Sequence, residues 1–210
     1  RGWFLGWAFN FPFSPEMYIF GYGSLLWYQD FPYENVVCGK VKGFARRFWQ
    51  LSPDHRGTPE QPGRTVTLVA EEGGVCWGMA FKVAQEHQKS TFEYLNHREK
   101  AGYTCEVLHF YPDDGSPSFD VRVYISDGNE FHAGPSEINE IAEAVVIRRG
   151  PSGTNLEYAL RLADILRNHL PHAEDEHVFA VEEKCLELVS KDEEKKKLVL
   201  EIRKKADRKA

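Results

Sequence analysis

The stretch TVTLVAEEGGVCWGMAFKV, Thr65 to Val83, decides the fold. Its first part, Thr65 to Val69, is a β-rich run, and in its last part Val75, Trp77, Met79, Phe81 and Val83 place an apolar side chain at every second position. Alternation with a period of two is the mark of a half-buried strand. The Glu71-Glu72-Gly73-Gly74 stretch between them carries turn chemistry, so the two runs are expected to form a hairpin.

Strand character extends outward from there. Cys105–Tyr111 and Phe119–Ile125 read as a second hairpin joined by PDDGSPS, with Val121, Val123 and Ile125 alternating. Between the hairpins, Ala84 to Lys100 has the pattern of a helix. Beyond Ser136 the character changes: Glu137–Ile147 and Asn155–His169 are expected helices, and Asp175 onward reads as one long charged helix ending in KDEEKKKLVLEIRKKADRKA. The expected class is α+β, a mixed, mostly antiparallel β-barrel with packed helices. One domain is expected over 17–180. Residues 181–210 are read as a charged helical extension whose last twenty residues are solvated, and 1–16 as an atypical, disordered leader.

The totals narrow the function. The chain has 210 residues, 42% hydrophobic and 28% charged, with a net charge of -6. That length can bury a sizeable core, and the acidic balance argues against a general nucleic-acid or anionic-membrane surface. Cys38, Cys76, Cys105 and Cys185 are far apart with no C-x-x-C pair, which gives little support to a zinc site or a disulfide framework. Reduced thiols in a cytoplasmic protein are expected instead. No apolar run reaches the ~18 residues of a membrane span. The leader RGWFLGWAFNFPFSPE lacks the small-residue cleavage site of a signal peptide.

Two local features suggest chemistry. In STFEYLNHREKAGY, Ser90 to Tyr103, Phe92, Leu95 and Glu99 fall at i, i+3 and i+7 and share a helical face, while Glu93, His97 and Lys100 lie on others. An apolar stripe ending in a carboxylate points that group toward an interior, where partial burial would make it a better proton acceptor near neutrality. Taken alone, a Glu99 paired with Arg98, Arg56 or another cation is the more ordinary explanation. In MYIFGYGSLLW, Met17 to Trp27, a strand breaks at Gly21-Tyr22-Gly23-Ser24, which offers successive backbone N–H groups with little obstruction. A dinucleotide fingerprint is excluded by Leu26 at the third glycine position, and no Walker lysine follows.

FGYGSL, RRFWQ at Arg46–Gln50, DHRG at Asp54–Gly57, GRTVTL, Trp77-Gly78, REKAGY at Arg98–Tyr103 and GPSGTNLEYAL at Gly150–Leu160 occur in one order. That ordered set, from Met17 to about Ala180, closely resembles the ChaC family of glutathione-specific γ-glutamylcyclotransferases. The resemblance implies a γ-glutamylcyclotransferase-like barrel fold and cleavage of reduced glutathione to 5-oxoproline and cysteinylglycine. It places the catalytic glutamate on Glu99 and the substrate-binding loop on Ile19, Phe20, Gly21, Tyr22, Gly23 and Ser24. Ala101 stands where the family pattern has glycine, one departure beyond the catalytic position.

The implied reaction requires no cofactor, metal or covalent nucleophile. The expected partner is a small molecule, glutathione, with no nucleic acid and no membrane, and a monomer in the cytoplasm. Cyclotransfer on other γ-glutamyl compounds, or a non-catalytic binding module of the same fold, are the alternatives. Arg56 and Tyr158 are weaker site candidates. The arginines of RRFW are expected to snorkel at a strand end, and His55, His97 and His177 to be solvated or capping.

Overall fold

The computed structural model describes residues 16–98, 102–126 and 128–207. The leader other than Glu16 lies outside the described residues. Strands β1 (Met17–Gly21), β2 (Asn35–Ser52), β3 (Gly63–Val83), β4 (Thr104–Pro112) and β5 (Phe119–Ile125) close into a barrel in the order β1-β3-β2-β4-β5. The seam is the parallel contact of β1 with β5 at Ile19 and Arg122, and the other pairs are antiparallel. The mixed α+β barrel is therefore the observed architecture.

The deciding stretch folds differently from its expectation. Thr65 to Val83 is not a hairpin but most of one continuous strand, β3. Both of its runs pair with the same partner: Ala45 faces Val69 on one side of the glycine pair, and Lys42 faces Val75 on the other. Glu71–Gly74 forms a bulge opposite Gly43, and Gly43 and Gly73 take φ of +82° and +74°. Glycine tolerates that left-handed region, so the chain swells and continues instead of reversing. The turn chemistry was real, but an 18-residue neighbour was available to hold both arms.

The second hairpin is β4–β5, paired from Thr104↔Ile125 to Phe110↔Phe119. Helix α1 (Gln88–Arg98) follows a short 3-10 turn over Gln85–His87. Helices α2 (Ile138–Ile147) and α3 (Asn155–His169) match their expected spans to within a residue, and a two-residue hairpin, β6 (Arg149–Gly150) with β7 (Gly153–Thr154), links them. The expected single charged helix is two, α4 (Glu176–Val189) and α5 (Glu193–Asp207).

Barrel and helices share one core. Phe20, Val41, Leu68 and Phe110 from the strands join Ile141 of α2, Leu162 and Leu166 of α3, and Val181 and Cys185 of α4. Packing runs on through α5, where Val199 and Ile202 are buried in the same cluster. Residues 193–205 are thus solvated on one face only. Burying each such side chain contributes about 1.5–3 kcal/mol.

Arg46 does not snorkel. It is 2% exposed on β2, donates to Asp175 Oδ2 at 3.0 Å and to Cys76 Sγ at 3.3 Å, and also donates to the Trp77 carbonyl. Asp175 at the same time caps α4 by accepting from the Val178 amide at 3.1 Å. One buried ion pair therefore ties the barrel wall to the start of a helix. Arg47, half-buried on the opposite face of the strand, pairs with Glu71 at 2.5 Å.

Candidate active site

A cavity of about 470 Å³ opens between the end of β1, the 53–62 loop, the C-terminal end of α1 and the first turns of α3. Its size falls in the range of small-molecule sites. The turn after β1 forms one wall: Phe20, Tyr22, Gly23 and Ser24 all line it. A 3-10 turn follows over Ser24–Leu26, and its first amide to close a bond is that of Leu26, which donates to the Gly23 carbonyl at 3.0 Å. Tyr22 is fixed by its hydroxyl, which donates to the Tyr124 carbonyl at 2.6 Å.

The glycines have a protein-side reason. A Cβ on Gly23 would stand 3.0 Å from the Tyr158 hydroxyl and 3.1 Å from Val66, and one on Gly21 would stand 3.0 Å from both Leu25 and Phe81. Their bareness admits neighbouring side chains, so the turn can lie flat against β3 and α3. Ile19 and Gly21 do not line the cavity; Ile19 is fully buried in a second cluster with Phe81 and Leu95.

A second bulge shapes the floor. Arg47 pairs with Thr67 and Gln50 with Thr65, leaving Phe48 and Trp49 opposite Val66 alone. The backbone groups released there find side chains. The Val66 amide donates to the Tyr158 hydroxyl at 3.2 Å, its carbonyl accepts from the Tyr103 hydroxyl at 3.4 Å, and the Phe48 amide donates to His177 Nε2 at 3.0 Å. His177 is therefore neither solvated nor capping. Burial, with Arg47 nearby, pushes it down to about 4, which keeps the accepting nitrogen unprotonated.

The opposite wall is a loop clamped to a hairpin. A Cβ on Gly57 would meet the Gly63 nitrogen at 2.1 Å, and one on Gly150 the His55 carbonyl oxygen at 2.3 Å, so only bare backbone allows this contact. The Ser152 amide donates to the His55 carbonyl at 3.0 Å, and His55 Nδ1 sits 3.2 Å from Ser152 Oγ. The clamp holds Arg56, whose Nη1 donates to the Thr154 carbonyl at 3.0 Å and lies 3.4 Å from Glu157 Oε2. Burial pushes the Arg56 guanidinium down, and Glu157 pulls it back up.

Glu99, Lys100 and Ala101 lie outside the described residues. On the same helix Leu95 is fully buried, Phe92 half-buried, and Glu93 and His97 exposed. Arg98, directly before the segment, and Tyr103, two residues after it, both line the cavity, and Arg98 donates to Ser24 Oγ at 3.0 Å and to the Tyr28 carbonyl at 3.3 Å. The weaker candidates Arg56 and Tyr158 also line it. Sequence reasoning missed Tyr28, Gln50, Tyr94, Glu157 and Arg161 in the lining. Glu157 and Arg161 had a legible signal in their i,i+4 spacing, whereas the aromatic residues had none. All four cysteines are free, and burial pushes the thiols up, Cys76 to about 11 and Cys185 to about 12, so none is activated as a nucleophile.

A family model described as ChaC-like protein matches residues 17–188. The glutathione-specific γ-glutamylcyclotransferase 1 of Danio rerio is 40% identical over 171 residues, covering 80% of this chain and 87% of that protein. The human protein of the same name is 41% identical over 169 residues, with 79% and 76% covered. The glutathione-specific γ-glutamylcyclotransferase of Schizosaccharomyces pombe is 36% identical over 190 residues, with 80% and 93% covered. A crystal structure of the yeast γ-glutamyl cyclotransferase specific to glutathione superposes with a TM-score of 0.77 at 28% identity, over 83% of this chain and 97% of that one. The fold is that of the yeast structure, and the chain belongs to the ChaC-like family.

Proposed function

We propose that this chain cleaves the γ-glutamyl bond of reduced glutathione by intramolecular cyclisation, giving 5-oxoproline and cysteinylglycine. One observation carries the proposal: Tyr22, Gly23 and Ser24 of the glycine turn share a cavity with Arg98 and Tyr103, which lie directly before position 99 and four residues after it. Relatives whose names specify this reaction on glutathione match most of the chain.

The substrate's α-ammonium first loses a proton, and Glu99 is the proposed base. The freed amine attacks the γ-carbonyl carbon, forming the five-membered ring and a tetrahedral oxyanion. Collapse breaks the bond to the cysteinyl nitrogen, which receives the proton from Glu99 and departs as an amine, and the ring nitrogen sheds its second proton to that amine, giving cysteinylglycine as its ammonium form. Amine and carbonyl belong to one molecule, so catalysis consists largely of holding the glutamyl chain folded. Backbone N–H groups of the Tyr22–Ser24 turn are the proposed donors to the glutamyl group and the oxyanion. The scheme runs without metal, cofactor or covalent nucleophile.

A cytoplasmic monomer, acting on a small molecule and on neither nucleic acid nor membrane, is part of the same reading. The four free cysteines suit a reducing compartment. The test is Glu99→Gln, which keeps the shape and removes the base. Turnover should fall by a factor of about 100 or more with folding intact; unchanged turnover would remove Glu99 from the role.

A further inference from the structure

Three guanidinium groups line the cavity, and they are not equivalent. Arg56 is committed to the protein: its side chain is 8% exposed, and its Nη1 serves the Thr154 carbonyl and Glu157. Arg98 is committed to Ser24 and to the Tyr28 carbonyl. Arg161 differs. Its Nε stands 3.6 Å from Glu157 Oε1, and among the described residues neither of its Nη groups has a partner. The side chain is 18% exposed, so it is already largely withdrawn from water. Glu157 faces both Arg56 and Arg161, so among the described residues these two guanidinium groups share one ion-pair carboxylate.

Its position along α3 is informative. Tyr158 reaches the glycine turn with its hydroxyl, and Arg161 lies three residues further along the helix, a rise of about 4.5 Å. Cysteinylglycine, fully extended, spans at most about 7 Å. A substrate with its γ-carbonyl at the turn would carry its terminal glycine toward the Arg161 wall. A planar fork with two unclaimed donors matches a carboxylate better than any other group on that half of the molecule.

We propose that Arg161 binds the glycine carboxylate of glutathione and so selects the tripeptide over γ-glutamyl compounds that lack a carboxylate at that position. The proposal rests on the glutathione reading above and extends it to the half of the substrate that the reaction does not change. Glu157 would then be a positioning residue, holding the guanidinium by its Nε with the Nη pair toward the cavity.

The test compares glutathione with its glycine carboxamide, on the full chain and on Arg161→Met and Arg161→Lys. In the unmodified protein, amidation should raise KM by about 10- to 100-fold, the loss of one charge-assisted contact, with little change in kcat. Arg161→Met should raise KM for glutathione by a similar factor and leave the carboxamide unaffected, and Arg161→Lys should recover part of the loss on glutathione alone. Equal losses on both substrates, or a protein indifferent to amidation, would overturn the assignment. If the unmodified protein forms no 5-oxoproline from either compound, the reaction is wrong, and calorimetry on that protein then decides the contact. Binding of glutathione weakened by amidation and by Arg161→Met would sustain it; equal or absent binding would end it.

Discussion

Asp175→Ala should destabilise the protein sharply without touching the chemistry. Arg46 has a fully buried side chain, and Asp175, 14% exposed, is its one carboxylate partner among the described residues, at 3.0 Å. Removing one member of a buried pair costs about 3–5 kcal/mol, because the remaining charge cannot reach water. The lost α4 cap at Val178 adds about 1 kcal/mol. The Trp77 carbonyl and Cys76 still accept from Arg46, which holds the sum to about 3–5 kcal/mol. For a chain of this size that is a fall in Tm of about 6–20 °C. Thermal and urea unfolding followed by circular dichroism measure it, and adding Arg46→Met to Asp175→Ala should recover about 2 kcal/mol by removing the stranded charge. A single variant within about 1 kcal/mol of the parent, or a double variant whose losses simply add, would refute this account of the barrel–α4 tie.

His177 predicts an acid limb. Its folded-state value of about 4 lies below the ordinary 6.5, so the unfolded chain takes up the proton first; the contribution is intact above pH 6.5 and is lost as pH falls toward 4. The loss is at most about 3 kcal/mol, and His177→Gln, which still accepts from the Phe48 amide but does not titrate, should flatten that part of the stability–pH profile. Truncation after Ser190 should expose the partners of Val199 and Ile202 and lower Tm, by an amount corresponding to about 2–4 kcal/mol; an unchanged Tm would return α5 to the status of a solvated extension.

How far the sequence could be read depended on what each signal measures. Periodicity is a local quantity, and it placed β4, β5, α2 and α3 closely because each repeats one pattern across its span. It misjudged Thr65–Val83 because hairpin and bulge share the same glycines, and the choice between them depends on β2, which is distant in sequence. It merged α4 and α5 because charge continues through the break at 190–192, although the apolar positions Val181, Cys185, Val199 and Ile202 mark buried faces. At the site, the glycine turn, Arg56 and Tyr158 were legible as motif. The roles of Arg46 and His177 were not, since a buried ion pair and a backbone-accepting imidazole depend on partners 129 residues away.

The central claim is cyclisation, and the identity of the products tests it most directly. Reduced glutathione incubated with the purified chain should yield 5-oxoproline and cysteinylglycine in equal amounts, with no free glutamate. Glutamate in place of 5-oxoproline would mean that water, not the substrate's own amine, attacks the γ-carbonyl, and intact glutathione would contradict the assigned activity altogether.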